Sequence, residues 1–406
     1  MKRLVLAGAG HAHAQVLLDW ARKPLAGVEL VVVSPQALAP YSGMVPGWLS
    51  GAYQYDEIVI DFPALCAAAG ARWVESELDR VDPARRRVHL GSGEALDYDV
   101  LSLNVGSTLC PPPVSGTRVL SMRPLARLRP GLESLLQHWT DDTSAQPFTV
   151  TAIGGGAAGF ESLLAVLARL RALRPKRSVH GGLVTRDTTL LPGLSAAARR
   201  AALRTLGHAG VTLQLATSWC DTIAGSSDLL LWATGAEAHA WQRDPLRRGA
   251  LAVSERGFVH IDDRLRSSSH PQVFAVGDCA EWATPLPKAG VYAVRMGPVL
   301  SHNLRAALDD GELRSYRPQG RVLSLLATGD GRAIVSRGVF GAHGRWVWRW
   351  KDRIDRRFVG RFTVPRSARA ADDLSPDASS DSQGSCAQRT TPPRASVAGE
   401  AIRIED

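Results

Sequence analysis

At 406 residues the chain is long enough for two or three domains with full cores, which excludes a minimal single-core module. Its 48 Lys and Arg against 39 Asp and Glu give a formal charge of +9, but most of the arginines are spread over helix-like stretches, so no nucleic-acid footprint is expected. Cys66, Cys110, Cys220, Cys279 and Cys386 form no C-x-x-C pair, which argues against a disulfide framework or a zinc site and fits a reducing, cytoplasmic setting with no metal.

Lys2 and Arg3 lead a short apolar run, Leu4 to Ala7, that reads as a strand. The two cations and the run imitate a secretory signal, but the apolar stretch is too short for one. Gly8, Ala9 and Gly10 follow, and a helix-compatible stretch begins at His11. Strand, glycine turn and helix open a dinucleotide-binding βαβ unit. Gly8 permits the tight turn. Gly10 lets a pyrophosphate approach the backbone at a helix N-terminus, where free N–H groups favour anions. The third position of the G-x-G-x-x-G pattern is His13, so the turn alone also fits an ordinary buried strand. Val28 to Val33 is a second strand, ending in Ser34 and Pro35 where many dinucleotide sites carry an acid for the ribose. The segment from Pro40 to Tyr53, PYSGMVPGWLSGAY, reads both as a rigid loop over this unit and as a cofactor contact through Pro40. It holds no cysteine. Residues 72 to 100 carry short β-like runs, and Tyr98 to Asn104 is a strand ending at Val105 and Gly106, where the backbone can be approached closely. The prolines at 111 to 113 mark a connection between domains.

Phe148 to Ile153 is again a strand. Gly154, Gly156 and Gly159 complete a full G-x-G-x-x-G, followed by Glu161 and a helical run to about Leu173. Two such turns in one chain point to two nucleotides. Gly182 to Thr185 is the next strand, with Arg186 and Asp187 at its end. An acid there favours the bare ribose of NAD and a cation the 2′-phosphate of NADP. The pair leaves the choice open, with Asp187 leaning it toward NADH. A helix over 195–209 and strands at Val211 to Ala216 and Asp228 to Ala233 follow, the last leading to Gly235. Val273 to Val276 is a buried strand ending in Gly277 and Asp278, where a carboxylate can accept ribityl hydroxyls. Lys288, Ala289 and Gly290 begin a helix whose N-terminus could face a flavin ring and stabilise its reduced form. Residues 321 to 340 read as two β-like segments.

Trp346, Trp350, Ile354, Phe358 and Phe362 then recur every four residues among Arg349, Arg353, Arg356, Arg357 and Arg361. Over residues 345–362 this is a basic amphipathic helix, suited to an anionic membrane surface or to docking on the body. No stretch approaches the ~18 apolar residues of a transmembrane helix. From about residue 366 the composition predicts a disordered tail in which Cys386 is incidental.

The segments AGAGHAH, PYSGMVPG, IGGGAAGFE, WATG, FAVGDCAEW, PKAGVYAVRMGP and WVWRWKDRIDRRF together resemble the pyridine nucleotide-disulfide oxidoreductase family of flavoproteins. Within it they are most similar to type II NADH:quinone oxidoreductases, and to the flavoprotein module that some bacteria carry fused ahead of selenide, water dikinase. No kinase module follows, so a stand-alone flavoprotein is expected. The resemblance implies an α/β fold of two Rossmann-like domains, with an NAD(P)H domain (117–249) inserted into a FAD domain (1–116 and 250–330). A C-terminal segment (331–365) and the tail (366–406) come last. It implies FAD at Gly8, Gly10, His11, His13, Pro40, Gly106, Gly277, Asp278 and Lys288–Gly290. NADH or NADPH falls at Gly154, Gly156, Gly159 and Gly235, with Glu161 catalytic beside the nicotinamide. The lack of a cysteine pair near residues 40–53 implies direct transfer from flavin to a diffusible, quinone-like acceptor in a ping-pong cycle. A slow redox sensor or an enzyme of sulfur or selenium compounds are the alternatives. Relatives often carry glutamine where Met296 stands, and a thioether cannot donate a hydrogen bond. A homodimer and a peripheral position on the cytoplasmic membrane face are left open.

Overall fold

The computed structural model describes residues 1–363. The tail and Cys386 lie outside the described residues. Strand β1 (Lys2–Ala7) leads through the glycine turn to helix α1 (His11–Arg22), and β2 (Val28–Ser34) pairs parallel with β1 from Lys2 opposite Val28 to Ala7 opposite Val33. Strand β3 (Arg72–Glu75) adds beyond β2, and β4 (Val100–Leu103) pairs on the other side of β1. Strands β1, β2 and β4 are rich in Val and Leu because both faces of a parallel sheet are covered, while the edge strand β3 is more polar.

The chain then builds a second sheet. Its elements are β5 (Arg118–Ser121), α2 (Leu125–Asp141), β6 (Phe148–Ile153), α3 (Ala157–Leu173), β7 (Val179–Val184), α4 (Ala196–His208), β8 (Val211–Gln214) and β9 (Leu229–Trp232). The strands lie in the order β5-β9-β6-β7-β8, all parallel. The chain returns as β10 (Val273–Ala275), which pairs with β4 and completes the first sheet as β10-β4-β1-β2-β3. One five-stranded α/β unit is thus inserted in the other, as the sequence implied.

Helix α5 (Gly290–Leu308) packs along α1. Gly297 makes that approach: a Cβ there would sit 2.9 Å from Cβ of Gln15. Three antiparallel strands follow, β11 (Ser324–Ala327), β12 (Ala333–Arg337) and β13 (Phe340–Gly344), where the sequence suggested two, and then helix α6 (Arg345–Gly360). Helix α2 was not visible as such in the sequence. Its signal is Leu128, Leu132, Leu135 and Trp139, all buried in the second core, and Pro130 masks it.

The aromatic row of α6 divides. Each four-residue step advances about 40° round a helix, so the sixteen residues from Trp346 to Phe362 turn it by roughly 160°. Trp346, Trp350 and Ile354 are 53%, 39% and 38% exposed, whereas Phe362 is buried in the first core and Phe358 packs at 4.5 Å from the Tyr41 ring. The face that docks is Val347, Lys351, Asp355 and Val359. Among the described residues no helix is long and apolar enough to cross a membrane.

Candidate functional site

Both glycine turns open on one cavity of about 1860 Å³, well above the roughly 300–1,000 Å³ of a typical single-ligand pocket. Gly8 has φ +101°, and a Cβ there would lie 2.4 Å from the backbone oxygen of Asn104. A Cβ on Gly10 would lie 2.0 Å from Oδ1 of the same asparagine. Sequence reasoning missed Asn104. Its Oδ1 accepts the Ala12 N–H at 3.2 Å and its Nδ2 donates to the Val276 carbonyl at 2.9 Å, tying the first turn to the end of β10. A buried asparagine closing a strand was the only sign of it in the chain.

His13 does not meet the expectation that it faces a ligand. It is fully buried and outside the cavity lining. Its Nδ1 lies 2.7 Å from the Gly8 carbonyl and its Nε2 2.8 Å from Ser102 Oγ. Burial pushes it down to about 4, so the ring is neutral and braces the turn from behind. In the second turn that place is Gly159, where a Cβ would sit 2.0 Å from the Gly154 oxygen, so helix and turn touch directly. Gly159 too lies behind the cavity wall, as does Gly277, whose φ of +71° aims the next residue, Asp278, into the cavity.

Gly106, Gly156 and Gly235 line the cavity, and a Cβ at any of the three would meet nothing within 4 Å, so their bare faces leave room for a ligand. Helices α1, α3 and α5 all begin at it without a side-chain cap, leaving backbone N–H groups for an anion or a carbonyl oxygen. Pro40, Ala289 and Gly290 also line it. Asp278 accepts the Ser107 hydroxyl at 3.3 Å and pairs with Arg123, a second residue that sequence reasoning passed over. Lys288 borders the cavity, but its ammonium donates to the Ala280 carbonyl at 2.6 Å and sits 3.7 Å over the Phe258 ring. It is not a free cation.

His11 lines the cavity, with its Nε2 enclosed and without a partner among the described residues. Burial lowers it to about 4, so it stands neutral between Tyr41 and Phe358. Glu161, on α3, accepts the Ala327 N–H of β11 at 2.7 Å. Burial raises its carboxyl to about 7, against the pull of Lys351. Lys351 donates to Asp355 at 2.6 Å and to the Gly43 carbonyl, and Tyr41 is hydrogen-bonded to Asp355. Burial raises the Asp355 carboxyl as well. The acid's surroundings therefore come from three elements far apart in sequence.

Among the described residues no cysteine lines the cavity. Cys279, next to Asp278, is buried, bonded to the Leu103 carbonyl, and burial pushes its thiol up to about 11. Met296 also lies outside this cavity, where its sulfur accepts the Gly277 N–H at 3.4 Å. A missing glutamine donor at that position therefore takes nothing from the lining.

Two βαβ units whose glycine turns share one cleft define a protein built for two dinucleotides. The profile of the pyridine nucleotide-disulphide oxidoreductase family matches residues 2–297, and the chain belongs to that family, whose members bind FAD and NAD(P)H. It is similar to the alternative NAD(P)H-ubiquinone oxidoreductase C1 of Arabidopsis thaliana, at 24% identity over 344 residues that cover 73% of this chain and 65% of the plant protein. Its fold is similar to the sulfide:quinone oxidoreductase of Aquifex aeolicus (TM-score 0.70, 14% identity, 91% of this chain and 92% of that one). It is also similar to NDH2 of Plasmodium falciparum, solved with NADH (TM-score 0.69, 12% identity, 89% and 97%).

Proposed function

We propose that the protein is a FAD-dependent NAD(P)H:quinone oxidoreductase working at an anionic membrane surface. The observation that carries this reading is the single cavity shared by two uncapped glycine-turn helices, Asp278 and Glu161, with no thiol among the described residues of its wall. The residues present fit FAD: the first turn and α1 for a pyrophosphate, an enclosed His11 Nε2 that has no partner among the described residues, and open space at Gly106. Residues 1–116 and 250–330 would hold FAD through Gly8, Gly10, His11, Pro40, Gly106, Asp278, Ala289 and Gly290. Residues 117–249 would hold NAD(P)H through Gly154, Gly156 and Gly235. His13, Gly159 and Gly277 shape the turns.

When bound, FAD supplies a two-electron relay between nicotinamide and acceptor. The chain supplies position, and holding two reactants in register can be worth roughly 7–11 kcal/mol. The α5 N-terminus stabilises negative charge that develops beside it. Glu161, raised to about 7, holds a proton on its carboxyl near neutral pH and can release it toward the cavity. The Lys351 charge, fixed by Asp355 and the Gly43 carbonyl, opposes that rise. Outside, Arg345, Arg349, Arg353 and Arg357 are exposed beside Trp346 and Trp350, and among the described residues none of the four has an ion-pair partner. That pairing of free cations with aromatic anchors suits an anionic lipid surface. The buried Cys279 disfavours covalent sulfur chemistry.

The test is an anaerobic titration of the purified protein, followed by a short-chain quinone. The expected result is a yellow protein bleached by reduced nicotinamide and recoloured by quinone with steady turnover. A protein that stays colourless after incubation with FAD, or a reduced form that quinone leaves unchanged, overturns the reading.

A further inference from the structure

We propose that the nucleotide taken by the second βαβ unit is the 2′-phosphorylated one, NADPH, and that Arg186 selects it. The inference rests on the reading above that this unit holds NAD(P)H. Strand β7 ends at Val184, so the residue at the strand end, where a ribose-binding acid would stand, is Thr185. Thr185 is buried under the glycine turn: a Cβ on Gly155 would lie 2.8 Å from its Cγ2.

The nearest carboxylate is Asp187, which is exposed and lines the cavity beside Arg186 with one oxygen already bonded. Its Oδ2 accepts the Thr185 hydroxyl at 3.3 Å, and the same hydroxyl oxygen accepts the Asp187 N–H at 3.2 Å. Asp187 is further fixed by its backbone oxygen, which accepts the Ala216 N–H at 3.0 Å. The small turn thus gives one carboxylate oxygen a partner on the strand. Arg186 is the residue left over. It is exposed, lines the cavity, and has no hydrogen-bond or ion-pair partner among the described residues. The Thr217 N–H donates to the Thr185 carbonyl at 2.9 Å, which brings Thr217 and Ser218 to the same stretch of wall with hydroxyl groups. A free guanidinium beside the Ser218 hydroxyl, next to a carboxylate with one oxygen already bonded to Thr185, suits a phosphate monoester. Asp187, which leaned the sequence toward NADH, is bonded to Thr185 in the fold, whereas Arg186 has no partner among the described residues.

The probe is a pair of adenosine nucleotides that differ only in the 2′-phosphate, 2′,5′-ADP and 5′-AMP, titrated into the whole chain by calorimetry at fixed salt. No turnover is needed. Tighter binding of 2′,5′-ADP by about tenfold or more is expected, the lower end of what a charge-assisted hydrogen bond gives. Arg186→Ala should bring the ratio near one while 5′-AMP still binds, which shows that the domain is folded. Arg200→Ala, an exposed arginine on α4, should leave the ratio unchanged. Equal affinities in the wild type, an unchanged ratio in Arg186→Ala, or an equal loss in Arg200→Ala each overturn the assignment. If NADH then still bleaches the flavin, only the discrimination has failed. If neither nucleotide binds and neither NADH nor NADPH bleaches it, the oxidoreductase reading fails as well.

Discussion

Glu161→Gln should remove a loss of stability that the wild-type protein suffers as pH rises. The carboxyl is raised from 4.5 to about 7 by burial. Between those values the folded protein keeps a proton that the unfolded chain has released, so stability falls with rising pH across that window. At about 1.4 kcal/mol per unit the full effect is roughly 3 kcal/mol, and water reaching the carboxyl through the cavity reduces it to about 1–2 kcal/mol. Glutamine keeps an acceptor for the Ala327 N–H and cannot ionise. His11 and His13, lowered to about 4, act in the other direction: their contribution is complete above 6.5 and is lost as pH falls toward 4. That limb is common to both proteins and cancels in their difference. The assay is thermal unfolding of wild type and variant from pH 4 to 8. The variant should gain on the wild type steadily from pH 4.5 to 7, then hold a constant lead. Parallel curves would show that Glu161 is solvated and ordinary, and its proposed proton-holding role would go with it.

Three further outcomes are expected. Gly156→Val places a side chain in open space at the α3 N-terminus, so nicotinamide binding should weaken in stopped-flow titrations while FAD content stays at the wild-type level. Asn104→Ala strands the Ala12 N–H and the Val276 carbonyl, at roughly 1–3 kcal/mol each. It should lower both melting temperature and retained FAD, measured by absorbance after gel filtration. Trp346→Ala with Trp350→Ala should abolish sedimentation with anionic vesicles but leave turnover of a dissolved short-chain quinone intact, since both rings are exposed.

The two glycine turns were legible because their chemistry is local: φ values of +101° at Gly8 and +122° at Gly154 demand glycine, and a strand and a helix must flank each. The insertion was what the family resemblance implied, and the strand order shows it. What the sequence hid depends on partners far along the chain. Nothing local distinguishes His13 as a brace, because its partner Ser102 lies on β4, in a neighbouring strand of the sheet. Arg123 acquires its meaning only when the inserted unit closes on Asp278. Lys288 reads as a cation at a helix start, yet Phe258 and Ala280 claim its ammonium. Met296 looked like a missing donor, and its place beside Gly277 was decided by how α5 packs.

Helix α6 shows why periodicity alone misassigned a face. Its four-residue rows wind round the axis, so the aromatic row passes from solvent at Trp346 to core at Phe362. The neighbouring row places Lys351 and Asp355 next to Glu161. One helix therefore carries exposed anchors on one side and, on the other, the groups whose charges act on the acid. A movement of α6 at a surface would shift Lys351 relative to Glu161, and the attraction that opposes burial in setting its proton affinity would change with it. On this argument the pH dependence of Glu161 should differ between free protein and protein on anionic vesicles, and the direction follows from the sign of the Lys351 effect. A looser Lys351 raises the acid further, and a tighter one lowers it. Identical pH profiles in the two states would mean that the two sides of α6 act independently.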